Sequence, residues 1–507
     1  MFVQLIYDQA LILNRNTMEM AASVLFANTY FLQLDPKQKG IGLPYPPLGT
    51  LYAAAFLRQH SYAVSLFDSM FASCPDQVLE MLGLVKPRFF VLYDDGFNYL
   101  TKMCLTNMRE AAFRMIALAR EAGCRVIVSS SDATDRSADY LEAGAEIIII
   151  GEGELTLLEL VNSMTSHETD FSAIPGLAYL INGKMFRTLT RPLIRDLDSL
   201  PLPAWDLVDM SSYRASWISH AGYFSLNMNT TRGCPFKCNW CAKPIYGNRY
   251  HSRSPRKVIE EIKWLQQSFG VEHIWFCDDI FGLKPGWIAE FAQIMSNQGI
   301  KIPFKIQARA DLMVRQRDVS GLATAGCQDV WMGAESGSQK ILDAMDKGIT
   351  VEQIAESTQL LKKHGIRPNF FIQFGYLGET WEDIRLTIDM INRLKPHEIG
   401  ISVSYPLPGT LFYEKVKGDL ENKQNWTDSD EMALMYQNTF SPAFYKQLHR
   451  YVHRNYKMQL VAGHVKQLLR QPFASKFADW KKAFSGFYYL PLVIAGKRKL
   501  ERLKQIR

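Results

Sequence analysis

Three of the chain's eight cysteines, Cys234, Cys238 and Cys241, fall within eight positions at the spacing C-x3-C-x2-C. They lie in the run Thr230-Thr231-Arg232-Gly233-Cys234-Pro235-Phe236-Lys237-Cys238-Asn239-Trp240-Cys241. Thiolates are soft anionic ligands, and three so close in sequence can wrap one face of an iron–sulfur cluster. A cubane 4Fe–4S cluster held by three cysteines keeps one iron without a protein ligand. An open coordination position is where a metal does chemistry rather than only bracing a fold. The other readings are zinc, or three unrelated thiols. Structural zinc prefers four protein ligands, no fourth Cys or His sits at zinc-ribbon spacing, and His251 is a poor candidate.

The elements that must hold this stretch can be read on either side of it. From about residue 220 to 425, strand-like and helix-like segments alternate six times. The strands are expected at Ser225–Thr230, His273–Cys277, Phe304–Ala308, Asp329–Met332, Asn369–Phe374 and Ile399–Ser404. Ser254 can cap a helix that opens with Pro255, buries Val258, Ile262 and Leu265, and stops at Gly270. Thr350 and Gln353 form a capping box for another, and Thr380 caps a helix over Trp381–Leu394. Six β/α units are two short of a closed eight-fold barrel and predict a partial (β/α)6 barrel, whose functional groups sit at the carboxyl ends of the strands. The cysteine loop, Asp278-Asp279, Arg309 and Glu335-Ser336 all fall there. Each has a plainer alternative: a helix N-cap for the Asp pair, and an ion pair of Arg309 with Glu335. Cys277 and Cys327 read as small buried residues.

The first part of the chain alternates in the same way: strands at Val3–Tyr7, Tyr62–Phe67, Arg88–Tyr93, Arg125–Val128 and Glu146–Ile150, with helices at Pro46–His60 and Met108–Ala122. Such βαβ alternation predicts a parallel, doubly wound sheet of Rossmann type, with ligands beyond the carboxyl ends of its strands. Asp94-Asp95-Gly96-Phe97-Asn98-Tyr99-Leu100 follows the third strand and reads either as an acidic turn capping the next helix or as a ligand contact. Residues 163–200 read as a β-rich linker with a hairpin turn at Asn182-Gly183.

The cysteine run, with Thr-Arg-Gly before it and Trp240 within it, resembles the radical S-adenosylmethionine (SAM) superfamily. That resemblance implies a 4Fe–4S cluster on Cys234, Cys238 and Cys241, with SAM chelating the open iron and cleaved to a 5′-deoxyadenosyl radical. It implies SAM contacts from the residues ending the second and fourth strands, Asp278, Asp279, Glu335 and Ser336, together with Arg309. Gln373-Phe374-Gly375 and Tyr405-Pro406-Leu407-Pro408 resemble the adenine-side motifs, which marks Gln373, Tyr405 and Pro406 as cofactor-binding. The first half resembles the cobalamin-binding domain that precedes the barrel in one subfamily. The residues that carry this are Pro46-Pro47-Leu48-Gly49, Leu57-Arg58-Gln59-His60 and Gly151-Glu152-Gly153-Glu154, and Leu200–Trp205 resembles the lead-in to the barrel. The resemblance implies cobalamin contacts at Ser129, Ser130, Ser131, Gly151 and Glu152. Two departures stand out: Ser129-Ser130-Ser131 replaces the usual Gly-Gly, and no Asp-x-His-x-x-Gly supplies a lower-axial histidine, which suggests a base-off corrin.

With 507 residues and 47% hydrophobic content, the chain is expected to hold a Rossmann-like domain over 1–190, a barrel over 191–425 and a basic helical tail over 426–507. Eight cysteines are too few for a disulfide scaffold, so a reducing cytoplasm is expected. The start reads as a strand and not a signal peptide, and no apolar run approaches the ~20 residues of a spanning helix. Net charge is +6 overall, but Ser441–Arg507 carries 15 Lys/Arg against Asp479 and Glu501, a net +13. The mildly acidic body argues against a nucleic-acid partner. The tail's Phe444–Val461, His464–Leu469 and Phe484–Ala495 read as helices, with Leu448, Tyr451, Val452, Tyr456 and Leu460 on one side of the first. They form a solvated face on helices that close the barrel, or a peripheral membrane contact or a site for an anionic, greasy substrate.

The reaction implied is methylation of an unactivated carbon from methylcobalamin, on a small-molecule or lipid-like substrate, with an external flavodoxin- or ferredoxin-type electron donor. The same architecture supports cyclisation or ring rearrangement. A tRNA methylthiotransferase would need three further cysteines, for which Cys74, Cys104 and Cys124 are available, and a β-rich tail. A non-catalytic cobalamin or iron–sulfur sensor is the remaining reading.

Overall fold

The structure is a computed structural model that describes residues 23–94, 96–97, 101, 103, 105–420, 425–470 and 477–505. The strand expected at Val3–Tyr7, and Asp95, Asn98, Tyr99, Leu100 and Cys104, lie outside the described residues.

Among the described residues two large sheets organise the chain. The first has the order β2-β1-β3-β4-β5-β6-β7. Its strands are β1 (Ser23–Ala27), β2 (Ala63–Phe67), β3 (Phe89–Tyr93), β4 (Arg125–Ser129), β5 (Ile147–Ile149), β6 (Leu177–Ile181) and β7 (Lys184–Arg187). β1 to β5 run parallel in the doubly wound order 2-1-3-4-5. β3, Phe-Phe-Val-Leu-Tyr, is buried at every position, as a strand covered on both faces must be. β6 and β7 pair antiparallel with β5 and with each other, so the hairpin read as a linker is instead part of the sheet. Its turn works because Asn182 and Gly183 both take positive φ, 51° and 74°.

β1 was not anticipated. It is a short apolar run, Ser-Val-Leu-Phe-Ala, with no alternation, and periodicity alone cannot identify such a strand. A helix over Met210–Ala221 and a two-stranded ribbon of β9 (Thr231–Arg232) with β10 (His251–Ser252) were likewise not anticipated.

The second sheet is six-stranded: β8 (Ser225–Met228), β11 (His273–Phe276), β12 (Phe304–Ala308), β13 (Cys327–Glu335), β14 (Arg367–Phe374) and β15 (Glu398–Val403), in the order β15-β14-β13-β12-β11-β8. It is the open (β/α)6 arrangement expected. The helix Pro255–Phe269 starts and stops as read: Ser254 Oγ accepts from the Lys257 N–H, Pro255 takes the first position and Gly270 is left-handed. Val258, Ile262 and Leu265 are fully buried, each worth ~1.5–3 kcal/mol. Both Thr350–Gln353 and Thr380–Asp383 make reciprocal capping boxes.

The chain divides into two compact units, one of residues 1–235, 243–279 and 425–430, the other of 236–242, 280–424 and 431–507. The first unit is organised about a buried charge. Arg232 donates to Glu152 and to Glu154 at 2.6 Å each, with all three side chains no more than 4% exposed. Tyr52 and Tyr246 lie 5.3 Å from its guanidinium and Phe97 6.0 Å. A second buried pair, Arg253 with Glu261 at 2.6 Å, stands beside it, and Arg253 also donates to the Asn229 carbonyl.

In the second unit the end of β14 is locked by Gly375. Its N–H donates to Glu379 Oε2 at 2.6 Å, and its carbonyl accepts from the Tyr436 hydroxyl and from Asn438. Burial pushes the Glu379 carboxyl up to about 8, against the pull of the Gly375 N–H. Among the described residues the tail holds two helices, Pro442–Arg470 and Phe477–Lys504, rather than three pieces. Leu448, Val452 and Tyr456 are buried in the first, but Leu460 is 41% exposed, off the expected face.

Two outcomes are expected. Arg232→Met strands two buried carboxylates, a loss of ~3–5 kcal/mol that thermal unfolding will report, with Arg232→Lys in between because an ammonium cannot fork to both. Glu379 holds its proton in the folded chain to about pH 8, whereas the unfolded carboxyl loses it above its ordinary value. Its stabilising contribution is therefore present at acidic pH and lost as pH rises through about 8. The melting temperature of Glu379→Gln should accordingly fall less than that of the parent between about pH 5 and about pH 9.

Candidate functional site

The approach to the cysteines is fixed by Asp278, two residues past the end of β11. Its carboxylate accepts the N–H groups of Thr230 and Thr231 at 2.7 Å each and the Thr230 hydroxyl at 2.7 Å. Asp278 is therefore not a helix cap but a brace for the residues that lead into the motif. Burial pushes it up to about 6, opposed by those same hydrogen bonds. Asp279 beside it is exposed. Gly233 has φ 77°, and a Cβ there would stand 2.5 Å from the Arg249 carbonyl, so only glycine permits the turn into Cys234.

Cys234 belongs to the first unit, and Cys238 and Cys241 to the second. All three are half-buried. Within the second unit, Arg309 Nη1 approaches Cys238 Sγ at 3.9 Å and its guanidinium lies 3.7 Å from the centre of the Phe236 ring. Arg309 also pairs with Asp311 at 3.0 Å and donates to the Gly348 carbonyl. The alternative of an Arg309–Glu335 pair is not what forms. Glu335 pairs instead with Lys347 at 2.7 Å, both buried, and Lys347 lies 5.7 Å from the Trp240 ring. Burial works to lower the Lys347 ammonium, but Glu335 and the neighbouring Cys238 hold it above its ordinary range.

Glu335 takes φ 55°, left-handed geometry that a non-glycine residue adopts at a cost and that concentrates at functional sites. Gly333 makes room for the pair: a Cβ there would meet Lys347 Nζ at 2.5 Å and Glu335 Oε1 at 2.6 Å. Asn239, inside the motif, is held on four sides. Its N–H donates to the Met345 carbonyl, its amide to the Ala344 carbonyl and Asp346, its side-chain oxygen accepts from Tyr376, and its carbonyl accepts from Phe412.

The remaining predicted residues lie as follows. Ser336 is fully buried against Thr387 at 3.1 Å, and Gln373 donates to Ser404 at 2.8 Å. Tyr405 and Pro406 are buried after β15. In the first unit, Ser129 ends β4, and Ser130 Oγ caps the short helix Ser131–Asp135 through the Ala133 N–H. Gly151 lies 3.7 Å, by its would-be Cβ, from the Ile245 carbonyl. Glu152 is taken up by Arg232 and by the Ile194 N–H. Asp94 accepts from the N–H and hydroxyl of Thr29, beyond β1. Sequence reasoning missed Lys347, Asn239 and the Arg232–Glu152–Glu154 triad. Arg232 and the Glu-x-Glu could have been suspected as complementary charges in otherwise apolar surroundings, but nothing in the sequence pairs Lys347 with Glu335.

No three His, Cys, Asp or Glu side chains among the described residues are already gathered closely enough to enclose a metal ion. The donor set nonetheless suits an iron–sulfur cluster: three half-buried thiols within eight positions, with two cations, Arg309 and Lys347, near Cys238. The Trp240 indole N–H, between two of the cysteines in sequence, is buried without a hydrogen-bond acceptor among the described residues. A buried donor with no acceptor is the kind of group that a cluster's sulfur atoms would satisfy.

Residues 228–391 match the Radical SAM superfamily. The chain is 28% identical over 412 residues to an uncharacterized methyltransferase of Pyrococcus horikoshii, a match that covers 78% of this chain and 84% of that one. It is 27% identical over 346 residues to the anaerobic magnesium-protoporphyrin IX monomethyl ester cyclase of Synechocystis, covering 66% of each. Its fold is similar to that of a radical S-adenosylmethionine methyltransferase of Kitasatospora setae, solved with cobalamin and a [4Fe-4S] cluster bound. That likeness has a TM-score of 0.65 at 19% identity and covers 79% of this chain and 75% of the other. The thiol motif and most of the open parallel sheet that carries it lie within residues 228–391, the part of the chain that matches the Radical SAM superfamily.

Proposed function

We propose that the chain is a cobalamin-dependent radical SAM enzyme that methylates an unactivated carbon of a small-molecule or lipid-like substrate. The observation that carries this reading is the succession, in one chain, of a 2-1-3-4-5 parallel sheet and a radical SAM domain. A relative named a methyltransferase over four-fifths of its own length supports the reaction class. When bound, the cluster with SAM would supply a 5′-deoxyadenosyl radical to remove a substrate hydrogen, and the corrin would supply the methyl group.

The chain's own part is to hold and shield. Cys234, Cys238 and Cys241 hold the cluster, and Arg309 and Lys347 keep positive charge beside Cys238. The residues that would serve SAM are Asp279 in the first unit and Glu335, Ser336, Gln373, Tyr405 and Pro406 in the second, where Lys347 fixes the Glu335 carboxylate at 2.7 Å. Ser129, Ser130, Ser131 and Gly151 line the cobalamin side at the carboxyl ends of β4 and β5, where a doubly wound sheet receives its ligand. Asp278 and Glu152 act by position: one braces Thr230 and Thr231, the other neutralises Arg232. In this reading residues 1–190 serve the corrin, 191–425 the radical chemistry and 426–507 close the molecule. Reducing electrons come from a flavodoxin- or ferredoxin-type donor, and the chain works in the cytoplasm.

A second reading, cobalamin-dependent cyclisation, is favoured by the relative that is a cyclase. The methylthiotransferase reading is weakened by its own cysteines: Cys74 is exposed, while Cys124 is buried with its thiol donating to the Pro87 carbonyl. The tail is helical where that reading needs strands.

Anaerobic reconstitution of the purified chain should yield about four irons, and Cys238→Ala should abolish reductive SAM cleavage; cleavage that persists in the variant removes the catalytic reading. Material from cells grown with ample cobalamin should show corrin absorbance beside that of the cluster. Cluster absorbance alone would leave a radical SAM enzyme without the cobalamin half of the proposal.

A further inference from the structure

The last helix, Phe477–Lys504, has an inner and an outer face. Its inner face is settled by Gly496 and Leu500, both buried. Gln447 of the helix Pro442–Arg470 donates to the Gly496 carbonyl at 3.1 Å, and a Cβ at Gly496 would lie 3.6 Å from the Tyr451 ring. At 100° per residue, Phe487, Leu490, Ile494 and Arg498 fall on one stripe opposite that contact. This outer stripe is apolar where a water-soluble helix would be polar: Phe487 is 79% exposed, Leu490 48% and Ile494 46%, with Tyr488 at 67% on its flank. Scattered exposed apolar residues need no explanation, but four large ones within eight positions on one helix do. Lys497, Arg498 and Lys499 follow directly and are all exposed. The whole tail from Ser441 carries a net +13.

Large apolar side chains exposed on one face and bordered by cations are the features of a helix that lies in a membrane interface. No helix among the described residues is long and apolar enough to cross a bilayer, so the helix would rest on the surface rather than span it. The charge selects the occupant. A protein groove would suit the apolar stripe but would have no need of three consecutive cations beside it, whereas anionic headgroups require them. We propose that the outer face of the helix Phe477–Lys504 docks this chain on an anionic lipid surface: Phe487, Tyr488, Leu490 and Ile494 enter the acyl boundary, and Lys497, Arg498 and Lys499 meet the headgroups. This surface is independent of the cofactor assignments.

The test uses the full chain and sedimentation with vesicles of phosphatidylcholine alone or mixed with phosphatidylglycerol. The chain should sediment with the mixed vesicles and not with the neutral ones, and added salt should release it. The triple change Lys497→Gln, Arg498→Gln and Lys499→Gln should weaken binding by about tenfold or more. The double change Phe487→Ser and Ile494→Ser should weaken it comparably at unchanged salt dependence. Both alter exposed side chains only, and unchanged thermal unfolding will confirm the fold; Phe487→Ser alone serves if the double variant is unstable. Absence of binding to mixed vesicles, equal binding to neutral ones, or variants that bind like the parent would each overturn the proposal. So would a self-association, seen in sedimentation velocity, that the double variant abolishes, because the stripe would then belong to a second copy.

Discussion

A guanidinium taken out of water must be answered by charge, and in this chain that requirement organises the way into the thiol loop. Arg232 stands two residues before Cys234, is sealed from solvent, and is paired with Glu152 and Glu154, some 80 positions earlier in the chain. Either carboxylate alone would leave part of the fork unpaired at the cost of a buried charge. The rings of Tyr52, Phe97 and Tyr246 close over the guanidinium, so residues before and after the motif are held by one cation. Asp278 adds a second tie of the same kind, its carboxylate taken up by the two residues ahead of Arg232. A loop that must present soft ligands cannot draw rigidity from regular hydrogen bonding, and here rigidity comes from buried charges at its entrance.

The second unit meets a different demand. Thiolates near one another repel, and positive groups must be kept where solvent would otherwise draw them away. Arg309 is held in place by Asp311, the Gly348 carbonyl and the Phe236 ring. Lys347 is buried, and the Glu335 carboxylate, with Cys238 beside it, makes that burial bearable. The backbone yields to accommodate this: Glu335 is left-handed, the register of β13 against β14 shifts between Gly333 and Glu335, and a side chain at Gly333 would displace the Lys347–Glu335 pair. Strain at a strand end that carries a charged pair is what a prearranged site costs the fold.

Much of this was legible beforehand because it is local. Ser254-Pro255 and Gly270 bound a helix by their own conformational preferences, and Thr350–Gln353 satisfies backbone donors within one turn. The C-x3-C-x2-C spacing is a pattern of neighbouring residues and can be read without reference to anything distant. Other features escaped because locality was missing. β1 has no alternation to reveal it, the hairpin β6–β7 reads as a linker until β5 is there to pair with, and at Leu460 the i+4 stripe has turned off the buried face, where Val461 stands instead.

The sequence by itself therefore determined the thiol spacing, the βα alternation, the caps and the basic tail, since each depends on residues within a few positions of one another. Tertiary structure alone decided the partners of the buried charges. Glu335 could have met Arg309 but met Lys347, and Asp278 could have capped a helix but holds Thr230 and Thr231. A carboxylate takes whichever cation or N–H the fold brings within about 3 Å, and separation along the chain carries no information about that distance.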